Sequence, residues 1–174
     1  MPALRCIKTQ QLRQRRKHFA EGHISPLNLQ PIFWGGLIAG TLDICAAFLT
    51  AWLRAGVGPG GLLRFVASGL LGPAALQGGA KVALIGLALH FLIATIWTVV
   101  FYLASRKWLL LIERPAMYGL LYGIAVYTFM NFVVLPLSLV TRRPITAVGT
   151  TIGLLTIMFC IGLPIALIVR RFSR

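Results

Sequence analysis

Residues 82–104 read VALIGLALHFLIATIWTVVFYLA, twenty-three consecutive positions without an Asp, Glu, Lys or Arg. As a helix rising ~1.5 Å per residue, this run reaches ~35 Å, enough to cross a hydrocarbon core of roughly 30 Å. Three further apolar blocks, at about 32–53, 116–139 and 145–169, have the same character. Basic residues fence them: Arg54, Arg106 with Lys107, Arg142 with Arg143, and Arg170 with Arg171. Four such blocks predict an all-α membrane protein, a four-helix transmembrane bundle.

Composition agrees. Of 174 residues, 58% are hydrophobic and 11% charged, and the mean hydropathy is +0.85. A soluble domain of this size needs more polar surface. Seventeen Lys and Arg stand against three acids, Glu21, Asp43 and Glu113. In a soluble chain that excess suggests nucleic acid. Here the bases lie between and outside the apolar blocks, where topology signals and contacts to anionic lipid headgroups belong, so no nucleic-acid partner is expected.

Residues 1–31 form a basic leader carrying Arg13, Arg15, Arg16 and Lys17 and ending in the breakers Pro26 and Pro31. Its first half is expected to be mobile. A positive start before an apolar run also describes a signal peptide. The first block is too long for that and contains Asp43, which favours an uncleaved anchor. With both termini inside, twelve Lys and Arg lie on the cytoplasmic side and five outside, as the positive-inside rule prefers. Trp34, Trp52, Trp108 and Tyr118 fall near span ends, the depth favoured by amphipathic rings.

Between the first two spans, Gly58-Pro59-Gly60-Gly61 opens a short apolar stretch closed by Gly72-Pro73. A helix over about 60–72 is too short to cross. With Leu62, Leu63, Phe65, Val66, Leu70 and Leu71 on one side and Arg64 and Ser68 on another, it reads as an interfacial or re-entrant helix on the outer face. Its plainer reading is a connector. Glycines four apart, at 36 and 40, 119 and 123, and 149 and 153, predict close helix contacts.

Polar side chains within spans cost about 2.5–3.5 kcal/mol at the centre, so each needs a reason. Asp43, His90 and Asn131 are the clear cases. Counted from the expected outer boundaries they lie roughly 12–15 Å deep, and Thr150, Thr151 and Thr156 roughly 8–17 Å deep. All four spans would then contribute to one polar layer in the outer half. Pro136 frees the carbonyl of Phe132 there, and Gly86 and Gly153 leave room. Ser68 would cover the pocket if its helix re-enters.

Two readings follow. In one, Asp43 and His90 pair, Asn131 and the threonines bond between helices, and the chain is a structural or accessory subunit. In the other, the same groups hold a cation, a proton, or the polar head of a small solute or lipid. Four spans are few for a transporter, so moving anything would call for a homodimer or a larger complex. A third reading, a lipid- or quinone-modifying enzyme with His90 as base and Asp43 orienting it, lacks a recognisable nucleophile. Ser68 and Ser138 are the available hydroxyls.

No cofactor motif occurs, and one acid within the spans cannot support paired-carboxylate chemistry. Cys6, Cys45 and Cys160 are too scattered for a disulfide framework or zinc site, and the latter two read as packing residues. His18, Glu21 and His23 lack a scaffold to hold a metal.

Gly36-Leu-Ile-Ala-Gly-Thr-Leu-Asp43, Ala67-Ser-Gly-Leu-Leu-Gly72, Leu89-His90-Phe91, Gly119-Leu-Leu-Tyr-Gly123 and Met130-Asn131-Phe-Val-Val-Leu-Pro136-Leu-Ser138 together resemble a family of small bacterial inner-membrane proteins with four spans. The resemblance covers about residues 33–168 and leaves out the basic leader. It implies a fold and a bacterial cytoplasmic membrane, carries no mechanism, and points again to Asp43, His90 and Asn131.

Overall fold

Proline and glycine set most of the element boundaries. Pro31, Pro59 and Pro115 stand in the first turns of their helices, where a missing N–H costs nothing. Gly56 ends the first helix with φ +61° and Gly72 ends the second with φ +79°, conformations that other residues rarely adopt. In a computed structural model, residues 28–140 and 146–173 are described. The expectations for Arg13, Arg15, Arg16, Lys17, Arg142 and Arg143 fall outside them, as does the tail cluster of His18, Glu21 and His23.

Among the described residues the helices are α1 (Gln30–Ala55), α2 (Pro59–Leu71), α3 (Ala80–Lys107), α4 (Leu110–Glu113), α5 (Pro115–Leu137) and α6 (Ala147–Phe172), with a short 3-10 turn at Pro73–Gln77 after α2. Among the described residues there is no strand. α1, α3, α5 and α6 are long and apolar enough to cross a membrane, the architecture of a multi-pass membrane protein. Three of the spans run two or three residues beyond their expected ends, because Arg54 and Lys107 continue the helix instead of stopping it. α5 instead stops at Leu137, two residues short of the predicted 139, as Ser138 turns extended.

The spans pack as two antiparallel hairpins. Gly36 and Gly40 of α1 lie against α3, where an added Cβ would stand 2.6 Å from Thr95 Oγ1 and 2.8 Å from the Phe91 ring. Gly119 and Gly123 of α5 lie against α6, where a Cβ on Gly123 would stand 2.5 Å from Met158 Cα. The first two glycine pairs thus allow close approach, as expected. The third pair does not: Gly149 faces the Arg54 guanidinium and Gly153 the Tyr127 ring.

α1 joins the hairpins by packing on both α3 and α6. Gln30, Lys107, Pro115 and Phe172 therefore share one side, the terminal side, and Ala55, Ala80, Leu137 and Ala147 the other, the loop side. The apolar core comprises Ala39, Phe101, Tyr102, Val126, Ile161, Ile165, Ala166 and Val169, almost all nearer the terminal side. Between α3 and α5 the rings of Trp97, Phe101, Tyr122 and Phe129 meet edge to face, and the Tyr122 hydroxyl donates to the Trp97 carbonyl at 2.6 Å.

Two spans are wound wider for one turn. Met130–Val134 of α5 and Ile157–Gly162 of α6 are π-helical, and each stops two residues before a proline, Pro136 or Pro164. A proline ring clashes with the carbonyl four residues back and offers it no N–H. One wider turn relieves both problems without breaking the span.

α2 crosses α3 at Gly86, whose missing Cβ makes room for the Leu63 carbonyl. Its far end is tied to the end of α5, where Leu139 N donates to Gly69 O at 3.0 Å. One expectation is corrected here. Gly86 leaves no room for water, because α2 fills it. On α2 itself Ala67 and Ser68 are the buried residues, while Leu70 and Leu71 are 60% and 46% exposed. Small residues seat a helix closely against another, and large apolar ones suit the face turned to lipid.

Candidate functional site

Asp43 lies twelve residues before Ala55 in α1, His90 ten after Ala80 in α3, and Cys160 thirteen after Ala147 in α6. From the loop side these are depths of ~18, ~15 and ~20 Å. α1 and α3 are 26 and 28 residues long, or ~39 and ~42 Å, so Asp43 and Cys160 sit near half-depth, His90 somewhat nearer the loop side, and the three cap the apolar core. Asp43 is within electrostatic reach of both His90 and Cys160.

Gly40 is what seats His90. With no side chain in the way, the Gly40 carbonyl lies 2.9 Å from His90 Nε2. A carbonyl can only accept, so Nε2 carries hydrogen and donates, leaving Nδ1 as the nitrogen that gains or loses a proton. The ring also stands edge-on to Phe91 at 5.5 Å.

Asp43 is half-buried, yet its carboxylate has no hydrogen-bond or ion-pair partner among the described residues. The expected Asp43–His90 pair is therefore not a direct one: Nε2 is spent on backbone, Nδ1 meets no carboxylate oxygen, and only longer-range attraction joins the two. An acid inside a span without a bonded partner is costly, and binding a proton or a cation removes that cost.

Three of the remaining polar candidates form a shallower set, and the fourth, Thr156, stands almost level with His90. Asn131 lies six residues before Leu137, and Thr150 and Thr151 three and four after Ala147, which is ~9 Å and ~5–6 Å deep. Thr156, half-buried, is nine residues in, ~14 Å deep. The single layer expected from equal counting thus divides in two.

The bonding expected between helices is also absent at the residues that bond. Asn131 Nδ2 donates to Tyr127 O at 2.9 Å and Thr151 Oγ1 to Ala147 O at 3.0 Å, each within its own span. Ser68 is buried and donates to Phe65 O at 2.7 Å, and Ser138 donates to Leu135 O at 2.9 Å. Neither serine hydroxyl faces His90 as a nucleophile would face its base.

No family model, curated protein or solved structure matches this chain. The site therefore stands on its own geometry. Among the described residues no three His, Cys, Asp or Glu side chains are placed to hold a metal ion. Cys160, read from the sequence as a packing residue, is half-buried at about the level of Asp43, and Cys45 is exposed. Five of the eight described bases, Arg106, Lys107, Arg114, Arg170 and Arg171, stand at the terminal side and Arg54, Arg64 and Lys81 at the loop side; Arg106 lies 5.9 Å from the Tyr102 ring centroid and Lys107 5.7 Å from that of Trp108. Arg170 and Arg171 stand in the last turn of α6.

Proposed function

We propose that this chain is a four-span protein of a bacterial cytoplasmic membrane that takes up and passes protons at a half-depth site formed by Asp43 and His90. The observation that carries the reading is the Asp43 carboxylate, held within a span beside a histidine yet bonded to neither it nor anything else described. A structural ion pair would have closed that bond. A carboxylate kept open close to an imidazole with a free Nδ1 suits a group that gains and loses a proton. A proton needs no wide pore, so one four-helix copy suffices. A larger cargo would call for a second copy.

Both termini lie in the cytoplasm in this reading, supported by the Lys and Arg balance, with Arg106, Lys107, Arg170 and Arg171 against anionic headgroups. The resemblance to small bacterial inner-membrane proteins supports the compartment. Back-bonded Ser68 and Ser138 weigh against an enzyme.

The test is reconstitution into vesicles holding a trapped pH-sensitive dye, with a potassium diffusion potential to drive protons. The parent chain is expected to acidify the lumen faster than empty vesicles, and Asp43→Asn to remove the excess. A parent no faster than empty vesicles, or an Asp43→Asn variant as fast as the parent, overturns the proposal.

A further inference from the structure

Among the described residues the buried polar side chains are Ser68, Thr98 and Ser105. Two of these three belong to one face of α3. Continuing from His90 toward the terminal side, that face carries Ala94, Thr98, Tyr102 and Ser105, spaced four, four and three apart. Such spacing keeps side chains in line along a helix. Thr95 lies beside the line and, like Thr98, is pressed against glycine backbone of α1: a Cβ on Gly36 would meet Thr95 Oγ1 at 2.6 Å, and one on Gly35 the Thr98 side chain. The surrounding core is apolar apart from the Tyr122 hydroxyl, which is bonded to the Trp97 carbonyl, so among the described residues these hydroxyls are the ones that continue along α3 from the site.

Resting on the proton reading above, we propose that the hydroxyls of Thr95, Thr98, Tyr102 and Ser105 form the limb by which protons travel between His90 and the terminal side of the bundle. Axial steps from His90 through these four are ~4.5–8 Å, distances that one or two bound waters bridge with ordinary hydrogen bonds. Thr95, Thr98 and Ser105 each donate to a carbonyl of α3 itself, at 2.8, 2.9 and 2.7 Å. That carbonyl keeps its helical partner, so the hydroxyl turns away without leaving it bare.

Tyr102 accepts from the Asn28 backbone N–H at 3.3 Å, leaving its own O–H free to donate. In each step an oxygen accepts one proton and releases another, so one proton moves along the line and no other bond changes. Asp43 is within electrostatic reach of His90 at the start of the limb and of Cys160, and Arg106 stands over Tyr102 near its end.

The test uses the dye-filled vesicles with Thr98→Val and Tyr102→Phe, changes that remove a hydroxyl and keep shape, alone and together. The double variant is expected to slow proton entry at least about tenfold, while infrared difference spectra still show the Asp43 carboxyl exchanging protons. Ser105→Ala, a smaller change, covers the case in which the double variant misfolds, and is expected to slow entry as well. Parent rates in the folded variants, with Asp43→Asn inactive, overturn the limb and leave the site standing. Parent rates in Asp43→Asn as well, or no proton entry in the parent, overturn both.

Discussion

Asp43 and His90 differ in how the fold treats them. His90 has a bonded partner, the Gly40 carbonyl, and His90→Ala removes a contact between α1 and α3. Polar contacts of this kind within a membrane are worth about 0.6–2 kcal/mol, so the variant should unfold at lower denaturant or temperature by that amount. Asp43 has no such partner, and Asp43→Asn should be neutral or stabilising. A loss of several kcal/mol in Asp43→Asn would mean that the acid is paired in the membrane after all. The residue types were legible in the sequence because a charge inside an apolar run stands out. Their bonding was not, because the Gly40 carbonyl that captures His90 belongs to every glycine and leaves no trace in composition. The level of Cys160 was not legible for a related reason: its depth depends on where α6 begins, and boundaries are the weakest part of a sequence reading.

At the scale of elements, glycine spacing was read correctly for the two hairpins and incorrectly for residues 149 and 153, since the pattern fixes which residues share a face and leaves open what that face meets. Gly123→Ala places a methyl group against Met158 Cα. Overpacking of this type costs about 1–3 kcal/mol, which a thermal melt in detergent against the parent would reveal. Pro136 was visible as a helix disturbance, but its resolution as a π-helical turn was not. Pro136→Ala restores the N–H and should let Met130–Val134 return to α-helical winding. One residue of winding turns everything beyond it by about 100°, carrying Leu139 away from Gly69 O. Faster hydrogen exchange at the Leu139 amide is the expected result, and unchanged protection there would mean that the wide turn has another cause.

Across the whole molecule, four apolar runs fenced by bases were enough for the architecture, because bilayer thickness dictates helix length and leaves few alternatives. What escaped the sequence is the uneven distribution of packing along the bundle axis. Apolar core fills the terminal half, Asp43, His90 and Cys160 cap it near half-depth, and α2 with the shallower polar residues occupies the loop half. Helix tilt and the two π-helical turns decide which residues stand level, and neither is encoded in a count from one span end. That arrangement puts the shallower polar residues between the site and the loop side and, in the proposed limb, the hydroxyls of α3 between the site and the terminal side.

The central claim is that Asp43 exchanges protons inside the bundle, and infrared difference spectroscopy of the chain in nanodiscs reads it directly. Spectra would be taken as the pH is stepped from about 5 to 8, the range of imidazole chemistry, with Asp43→Asn as the reference. The predicted result is a protonated-carboxyl band that falls as a carboxylate band rises, absent in Asp43→Asn and displaced along the pH axis in His90→Ala. Carboxyl bands that stay constant across the range in the parent chain would contradict the account.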